Sequence, residues 1–122
     1  MRKLLAVVLL AGLFAPAAPA WAGAKNGGRK DAREQVDFGI AVAQRGLWKE
    51  ALYRWERAVQ LDPEYAAAWN NLAIAYEHEG KFDDARKAYE KATALDPKNL
   101  MIKQNYDLFK EINDRANRKP DR

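Results

Sequence analysis

The sequence predicts an all-α protein, an α-solenoid of antiparallel helical hairpins with about five helices after its N-terminal segment. Three observations lead to this prediction. Residues 32–65 and 66–99 share one pattern at a spacing of about 34 residues, the repeat length, which is typical of a stackable helix–turn–helix unit. Each copy has a central glycine, Gly46 or Gly80, and ends in Leu-Asp-Pro. Between these marks, apolar residues recur three or four positions apart, as they do on one side of a helix.

The first 22 residues have the three parts of a secretory signal peptide. Two basic residues precede an apolar run over 4–14, and a segment of small residues follows. We expect cleavage after Ala22, with Ala20 as the competing position, and export to a periplasmic or secreted location. An uncleaved membrane anchor is the alternative, because no charged residue occurs over 4–24. Against the anchor, alanine and proline dominate the second half of this segment, and a span needs about 20 predominantly apolar residues.

Residues 23–31 are predicted to form a flexible basic linker. They contain two adjacent glycines and several basic residues, and they show no apolar period. The sequence from Asp31 to Glu34 is typical of a capping box, which places the start of the first helix at about residue 32. The folded part is therefore expected to begin with repeat 1.

Repeat 1 spans 32–65 and repeat 2 spans 66–99, and the same kinds of residue stand at equivalent positions in both. The small residues Gly39 and Ala73 indicate points where two helices cross closely. The two central glycines are expected to end the first helix of each hairpin in a left-handed conformation. The predicted core residues are Phe38, Val42, Trp48, Ala51, Trp55, Ala58, Phe82, Ala85, Tyr89 and Ala92. Pro63 and Pro97 cannot continue a helix, so they end the two units.

A last helix is predicted over 100–116, followed by a frayed tail over 117–122. Its expected inner side carries the apolar residues Leu100, Ile102, Tyr106, Phe109 and Ile112, and charged residues occupy the other side. This helix lacks the glycine and proline of a third repeat. It is therefore predicted to cap the stack, because the terminal face of a repeat array is polar.

The pattern resembles the tetratricopeptide repeat, in which a tryptophan, a leucine, a small residue and a tyrosine on the first helix precede a glycine, an Ala–aromatic–Ala series and a proline. The matching residues of repeat 2 are Trp69, Leu72, Ala73, Tyr76, Gly80, Ala85, Tyr89, Ala92 and Pro97. The matching residues of repeat 1 are Phe38, Gly39, Gly46, Ala51, Trp55, Ala58 and Pro63. Repeat 1 departs from the pattern at Gln35 and Val42, as a repeat without a preceding neighbour often does.

The composition argues against catalysis and against metal or nucleic-acid binding. The chain has no cysteine and no serine, His78 is its only histidine, and Thr93 is its only threonine. These absences remove serine and cysteine nucleophiles and paired-histidine metal sites. No glycine-rich loop joins a strand to a helix, so no phosphate or cofactor site is predicted. The net charge of +4 falls to +2 without the first two basic residues, which does not indicate nucleic-acid binding.

The resemblance implies a protein-binding role, with the first helices of the repeats lining a concave face. The positions that would meet a ligand are Arg33, Val36, Asp37, Ile40, Gln44, Asn70, Asn71, Ile74, Glu77, His78, Met101 and Asn105. Apolar centres among amides and a few charges suit a short peptide or a partner helix. A merely solvated face is the alternative, as is burial of these residues under the segment that precedes repeat 1.

These features predict a non-catalytic adaptor or assembly factor of the cell envelope. The alternative is a permanent structural subunit of an envelope complex, packed through the edge of its repeats. Two repeats are short for a stable array. Self-association is therefore expected through the N-terminal edge, where Gln35 and Val42 stand.

Overall fold

The computed structural model describes residues 25–118, and in this range the chain forms five α-helices and no β-strand. The helices are α1 (Lys25–Ala43), α2 (Trp48–Leu61), α3 (Ala66–His78), α4 (Phe82–Leu95) and α5 (Leu100–Asn117). α1 and α2 form one hairpin, and α3 and α4 form the next. α3 packs against α1 and α2, and α5 packs against α4 and α3. The predicted all-α stack of helical hairpins is confirmed.

The predicted signal peptide, residues 1–22, and the end of the predicted tail lie outside the described residues. Of the five described helices, none combines the length and the apolar character that crossing a bilayer requires.

The two hairpin turns depend on the two central glycines. Gly46 and Gly80 have φ angles of 79° and 72°, in the left-handed region that favours glycine. The backbone N–H of Leu47 donates to the carbonyl of Val42 at 3.0 Å, and Lys81 N–H donates to the Tyr76 carbonyl at 2.8 Å. These bonds satisfy carbonyls at the end of the first helix in each hairpin, as in a Schellman motif. The predicted turns are confirmed.

The prediction of a flexible linker is wrong for residues 25–31, because α1 already begins at Lys25. The supposed capping box at Asp31 therefore lies inside the helix. Gly28 is buried where an added Cβ would stand 2.7 Å from the Leu61 carbonyl oxygen, so glycine permits a close approach of α1 to the end of α2. Arg29 forms an ion pair with Asp62, and its guanidinium lies 4.7 Å from the Tyr65 ring centroid. The glycine and the basic residue thus dock this part of α1.

The centre of repeat 1 depends on a close contact between Gly39 and Trp55. A Cβ at Gly39 would stand 2.3 Å from Nε1 of the Trp55 indole, so only glycine fits here. The indole N–H donates to the Val36 carbonyl at 3.1 Å, which satisfies a buried polar atom. In repeat 2, Ala73 and Tyr89 occupy the equivalent positions and are both buried in one cluster. The predicted helix crossing at small residues agrees with this packing.

Several predicted core residues are exposed instead. Phe38 lies on the outer side of α1, which no other hairpin of the described residues covers, and the Arg54 guanidinium stands over part of its ring. Phe82 is exposed at the start of α4, whereas its equivalent Trp48 is half-buried beneath His78. Leu100 and Ile112 on α5 are also exposed, so only part of the predicted inner side of that helix packs inward. The buried residues of α5 are Ile102 and Phe109.

α5 carries charge at the position where a partner helix would cross. Asp107 stands one repeat length after Ala73 and two repeat lengths after Gly39, the two small crossing residues. Its carboxylate pairs with Lys103 and Lys110, and hydrogen bonds from these two ammonium groups lower its pKa. Charged residues at the position where the earlier units have a small crossing residue are typical of a terminal helix that faces water.

Candidate functional site

The odd-numbered helices present one common face, because the same spacing of four, three and four residues recurs on each. Residues on this spacing share one side of a helix. The α1/α3/α5 face consists of Arg33, Asp37, Ile40 and Gln44 on α1, Ala67, Asn71, Ile74 and His78 on α3, and Met101, Asn105, Leu108 and Ile112 on α5. Members with the same rank on successive helices are separated by one repeat length. All twelve side chains are at least partly exposed.

An apolar row crosses the middle of this face. It is formed by Ile40, Ile74 and Leu108, with exposed fractions of 39% for Ile40 and 57% for Leu108, while Ile74 is half-buried. The row beside it is polar and consists of Asp37, Asn71 and Asn105. The face therefore offers apolar surface next to groups that can hydrogen-bond a polypeptide backbone, as peptide-binding grooves do.

Two predicted site residues are not available to a ligand. Val36 is 4% exposed and Asn70 is 2% exposed, because each lies on the side of its helix that the next odd-numbered helix covers. The Asn70 side-chain oxygen accepts a hydrogen bond of 3.2 Å from the Asn105 amide, which joins α3 to α5. The binding role predicted for Val36 and Asn70 is corrected to a packing role.

Glu77 is half-buried at the margin of the face. Its carboxylate accepts a hydrogen bond from the Tyr89 hydroxyl of α4. Burial, followed by this hydrogen bond, raises the pKa of Tyr89, so the phenol stays protonated. Glu77, which was predicted to face a ligand, joins α3 to α4 through this bond and stays partly exposed.

His78 is exposed at the end of α3, and it stacks on an aromatic ring. Its imidazole lies parallel to the Trp48 indole, with 3.4 Å between ring centroids and 8° between planes. The two rings stand beside an open depression of about 560 Å³ lined by Gly46, Leu47, Trp48, Lys49, Glu50, His78 and Glu79. One end of the α1/α3/α5 face is thus bounded by this depression.

A larger cleft bounds the opposite end of the face. It has a volume of about 630 Å³ and is lined by Arg29, Lys30, Arg33, Glu34, Asp37, Asp62 and Glu64. Arg29 and Lys30 have carboxylate partners in Asp62 and Glu34. Among residues 28–118, Arg33 and Asp37 have no ion-pair partner, which leaves both charges available on the α1 side of the face.

Leu108 and Ile112 belong to the face but were absent from the predicted site. Leu108 stands one repeat length after Ile74, and Ile112 stands one repeat length after His78. The signal was therefore present in the sequence, since continuing the repeat spacing into α5 identifies both positions. The prediction extended the face into α5 only at Met101 and Asn105, and it placed Ile112 on the inner side of that helix.

The described residues of the face hold no cluster of metal-binding side chains. Across the described range 25–118, no three His, Cys, Asp or Glu side chains stand close enough together to hold a metal ion. The face instead combines apolar side chains, amides and single charges, which is a chemistry of binding.

Comparisons with known proteins agree with this architecture. Residues 66–99 match the profile of the tetratricopeptide repeat family, and residues 39–80 match a TPR repeat profile. A similar solved structure is the TPR domain of Arabidopsis OM64, at 22% sequence identity and a TM-score of 0.66. The similarity covers 72% of this chain and 73% of that one. No curated protein sequence is significantly similar to this chain.

Proposed function

We propose that this protein is an exported adaptor or assembly factor whose α1/α3/α5 face binds a partner protein. The described part of the chain has the fold of tetratricopeptide repeats. Repeats of this kind generally mediate protein–protein interaction, and the fold is typical of scaffolds that are not enzymes. The observation that supports the proposal most is the apolar row of exposed Ile40, half-buried Ile74 and exposed Leu108 beside the amides Asn71 and Asn105.

The partner is expected to contribute a peptide segment or a helix. Apolar side chains on a helical surface are better buried than exposed, at about 25 cal/mol per Å² of apolar area removed from water. The neighbouring amides both donate and accept, so they can bond a ligand backbone in either direction. No reaction is proposed, because the whole sequence lacks serine and cysteine and its single histidine is stacked on Trp48.

Replacing Ile40 and Ile74 together by glutamate is expected to abolish partner capture. Both substitutions place a carboxylate where the partner would bury apolar surface, so affinity should fall by at least about 100-fold. Affinity capture from an envelope extract followed by mass spectrometry identifies the partner, and calorimetry with that partner measures the loss. The far-ultraviolet circular dichroism should keep its helical amplitude.

A matched control adds the same charge elsewhere. Tyr53 and Leu100 are exposed apolar residues off the face, since Tyr53 is on α2 and Leu100 is turned about 100° from Met101. Replacing both by glutamate should leave capture unchanged. Loss of helicity in the Ile40/Ile74 variant would show that these residues support the fold, and equal capture by both variants would contradict the proposed face.

Export is the second part of the proposal, and it depends on residues 1–22. Replacing Leu9 by arginine interrupts the apolar run over 4–14, so processing should stop. Intact-mass measurement of the unmodified protein from the envelope fraction is expected to show a chain that begins at Gly23. A full-length chain that only detergent releases would instead identify the membrane anchor.

Self-association is the third part, and it concerns the N-terminal edge of α1. Phe38 is exposed there, whereas its equivalent Leu72 is buried between the hairpins. Val42, predicted at this edge, is buried, so the edge is formed by Phe38, Gln35 and Arg54. Light scattering at high concentration is expected to give a dimer that Phe38→Asp converts to a monomer. A strictly monomeric protein would contradict this part.

A further inference from the structure

Three positions on the first helix of the repeat are exposed in repeat 1 and buried in repeat 2. In repeat 2 they hold Ala68, Leu72 and Ala75, each at most 2% exposed and packed in one cluster with residues of repeat 1. In repeat 1 they hold Glu34, Phe38 and Ala41, which are all exposed. α1 therefore presents to solvent the same side that α3 packs against repeat 1.

Opposite charges stand at equal distances on either side of Phe38. Asp31 lies seven residues before it and Arg45 seven residues after it, and both are exposed. Seven residues make about two helical turns, so both lie on the Phe38 side of α1, each about 10 Å away along the helix axis. Arg45 follows the end of α1, and its backbone N–H donates to the Val42 carbonyl at 3.1 Å, which continues the turn. The outer stripe of α1 consists of Asp31, Glu34, Phe38, Ala41 and Arg45.

The charges at the two ends of the outer stripe are not neutralised within repeat 1. Among residues 28–118, neither Asp31 nor Arg45 has an ion-pair partner. The other charges beside the stripe are paired with each other, Glu34 with Lys30 at 3.6 Å and Arg54 with Glu50 at 3.0 Å. The stripe therefore has one acidic end, an apolar centre and one basic end.

The remaining exposed charges of α1 and α2 within residues 28–61 lie on other sides of these helices. Arg33 and Asp37 belong to the α1/α3/α5 face. The equivalents of Lys49 and Arg57 in repeat 2 are Asp83 and Lys91, which stay exposed although repeat 1 packs beside repeat 2. The positions of Lys49 and Arg57 are therefore not covered when hairpins stack.

The outer stripe is complementary to itself when two copies of α1 run antiparallel. With the two Phe38 side chains at a two-fold axis, Arg45 of each copy stands opposite Asp31 of the other copy. Phe38 of one copy can also pack beside the small Ala41 of the other, as a ridge fits into a groove. A parallel arrangement would place like charges opposite each other, which disfavours it.

The other end of the stack does not offer an equally good contact to a second copy. There the Asp107 carboxylate, paired with Lys103 and Lys110, occupies the position where a following helix would cross. Head-to-tail stacking of copies would bury these charges against Phe38. An isologous contact between two outer stripes leaves them in water, and it closes after two copies.

We infer that two copies of this protein associate through antiparallel α1 helices, with Phe38 at the two-fold axis and two symmetric ion pairs between Arg45 and Asp31. This inference rests on the self-association part of the proposed function and specifies its geometry. One helix side from each copy is a small interface, so a dissociation constant in the micromolar range is expected.

Charge reversal tests the assigned pairs. Sedimentation of the protein, purified in the form in which the cell holds it, measures the dimer between about 1 μM and about 1 mM. Asp31→Arg and Arg45→Asp should each weaken the dimer at least tenfold, because like charges then meet at both contacts. An equimolar mixture of the two variants should recover the wild-type affinity. In the mixed dimer, one copy is basic at both ends of its stripe and the other is acidic at both ends.

The matched control is Arg57→Asp, which reverses the same type of charge on a position that stacking leaves uncovered. It should not weaken the dimer. A dimer that neither reversal weakens, or an assembly larger than two copies, would overturn the antiparallel geometry while leaving self-association through Phe38. Absence of any dimer would overturn both, and the capture experiment would still decide the binding role of the α1/α3/α5 face.

Cross-linking tests the direction of the two helices separately. The chain has no cysteine, so Asp31→Cys and Arg45→Cys each introduce a single thiol. In the antiparallel dimer, two thiols at position 31 are about 21 Å apart along the axis, beyond the reach of a disulfide. Oxidation of the mixed variants should give a disulfide-linked dimer of one copy of each, and oxidation of either variant alone should give none. Efficient linkage of Asp31→Cys to itself would overturn the inference.

Discussion

Replacing Gly39 by alanine is expected to destabilise the protein by about 3 kcal/mol. At an ordinary interior position of a helix, alanine is more favourable than glycine by about 1 kcal/mol. A loss of stability on this substitution would therefore indicate a steric clash. Here the added Cβ would stand 2.3 Å from Nε1 and 2.7 Å from Cδ1 of Trp55. The rigid indole has to move, which overpacks the core and breaks its hydrogen bond to the Val36 carbonyl. Urea unfolding followed by circular dichroism measures the loss.

The second repeat supplies a compensating change. It holds Ala73 and Tyr89 where the first holds Gly39 and Trp55. Combining Gly39→Ala with Trp55→Tyr should therefore cost less than the sum of the two single changes, and a double-mutant cycle measures this coupling. If Gly39→Ala alone stabilises the protein, the close contact between Gly39 and the indole does not exist in solution.

Replacing Phe109 by alanine is expected to cost about 3–5 kcal/mol and to detach α5. Phe109 is 2% exposed, and its ring centroid lies 5.4 Å from that of Tyr89. Tyr106 stacks on the same Tyr89 ring at 5.5 Å, so one aromatic cluster attaches α5 to α4. Without the Phe109 ring, α5 loses its main anchor and Tyr89 becomes accessible. Hydrogen exchange should show rapid exchange over Leu100–Asn117 before the rest of the chain unfolds.

Ile112→Ala is the matched control for this change. Ile112 is on the same helix but exposed, so its truncation should alter the free energy of unfolding by no more than about 0.5 kcal/mol. Equal effects of the two substitutions would show that α5 does not pack through the buried aromatic cluster.

The features that could be predicted from sequence are those with local causes repeated at a fixed spacing. Gly46 and Gly80 end helices because glycine readily adopts the left-handed conformation. Pro63 and Pro97 end the repeats because the proline ring is incompatible with a continuing helix. The start of α1 has no such local cause. Residues 25–31 are helical where Gly28 and Arg29 contact the end of α2 and the loop beyond it, which come much later in the chain. Composition alone made them resemble a linker.

The candidate site was predictable in part for the same reason. The repeat spacing correctly relates Ile40 to Ile74, and it extends to Leu108 once α5 is treated as a third first helix. Burial of Val36 and Asn70 was not predictable from their own residue types, because each is covered by the following helix of the stack. Exposure at a repeat position depends on whether a neighbour exists. Phe38 is exposed, whereas its equivalent Leu72 is buried because repeat 1 packs against it.

Asp107 has a consequence for any attempt to lengthen this array. A further hairpin grafted after α5 would have to place a helix against a carboxylate held between Lys103 and Lys110. Extension by engineering would therefore start with Asp107→Ala and with apolar replacements at the two lysines. In the described part of the chain, α5 therefore presents a carboxylate to any following helix, at the position where the two earlier units present a hydrogen atom or a methyl group.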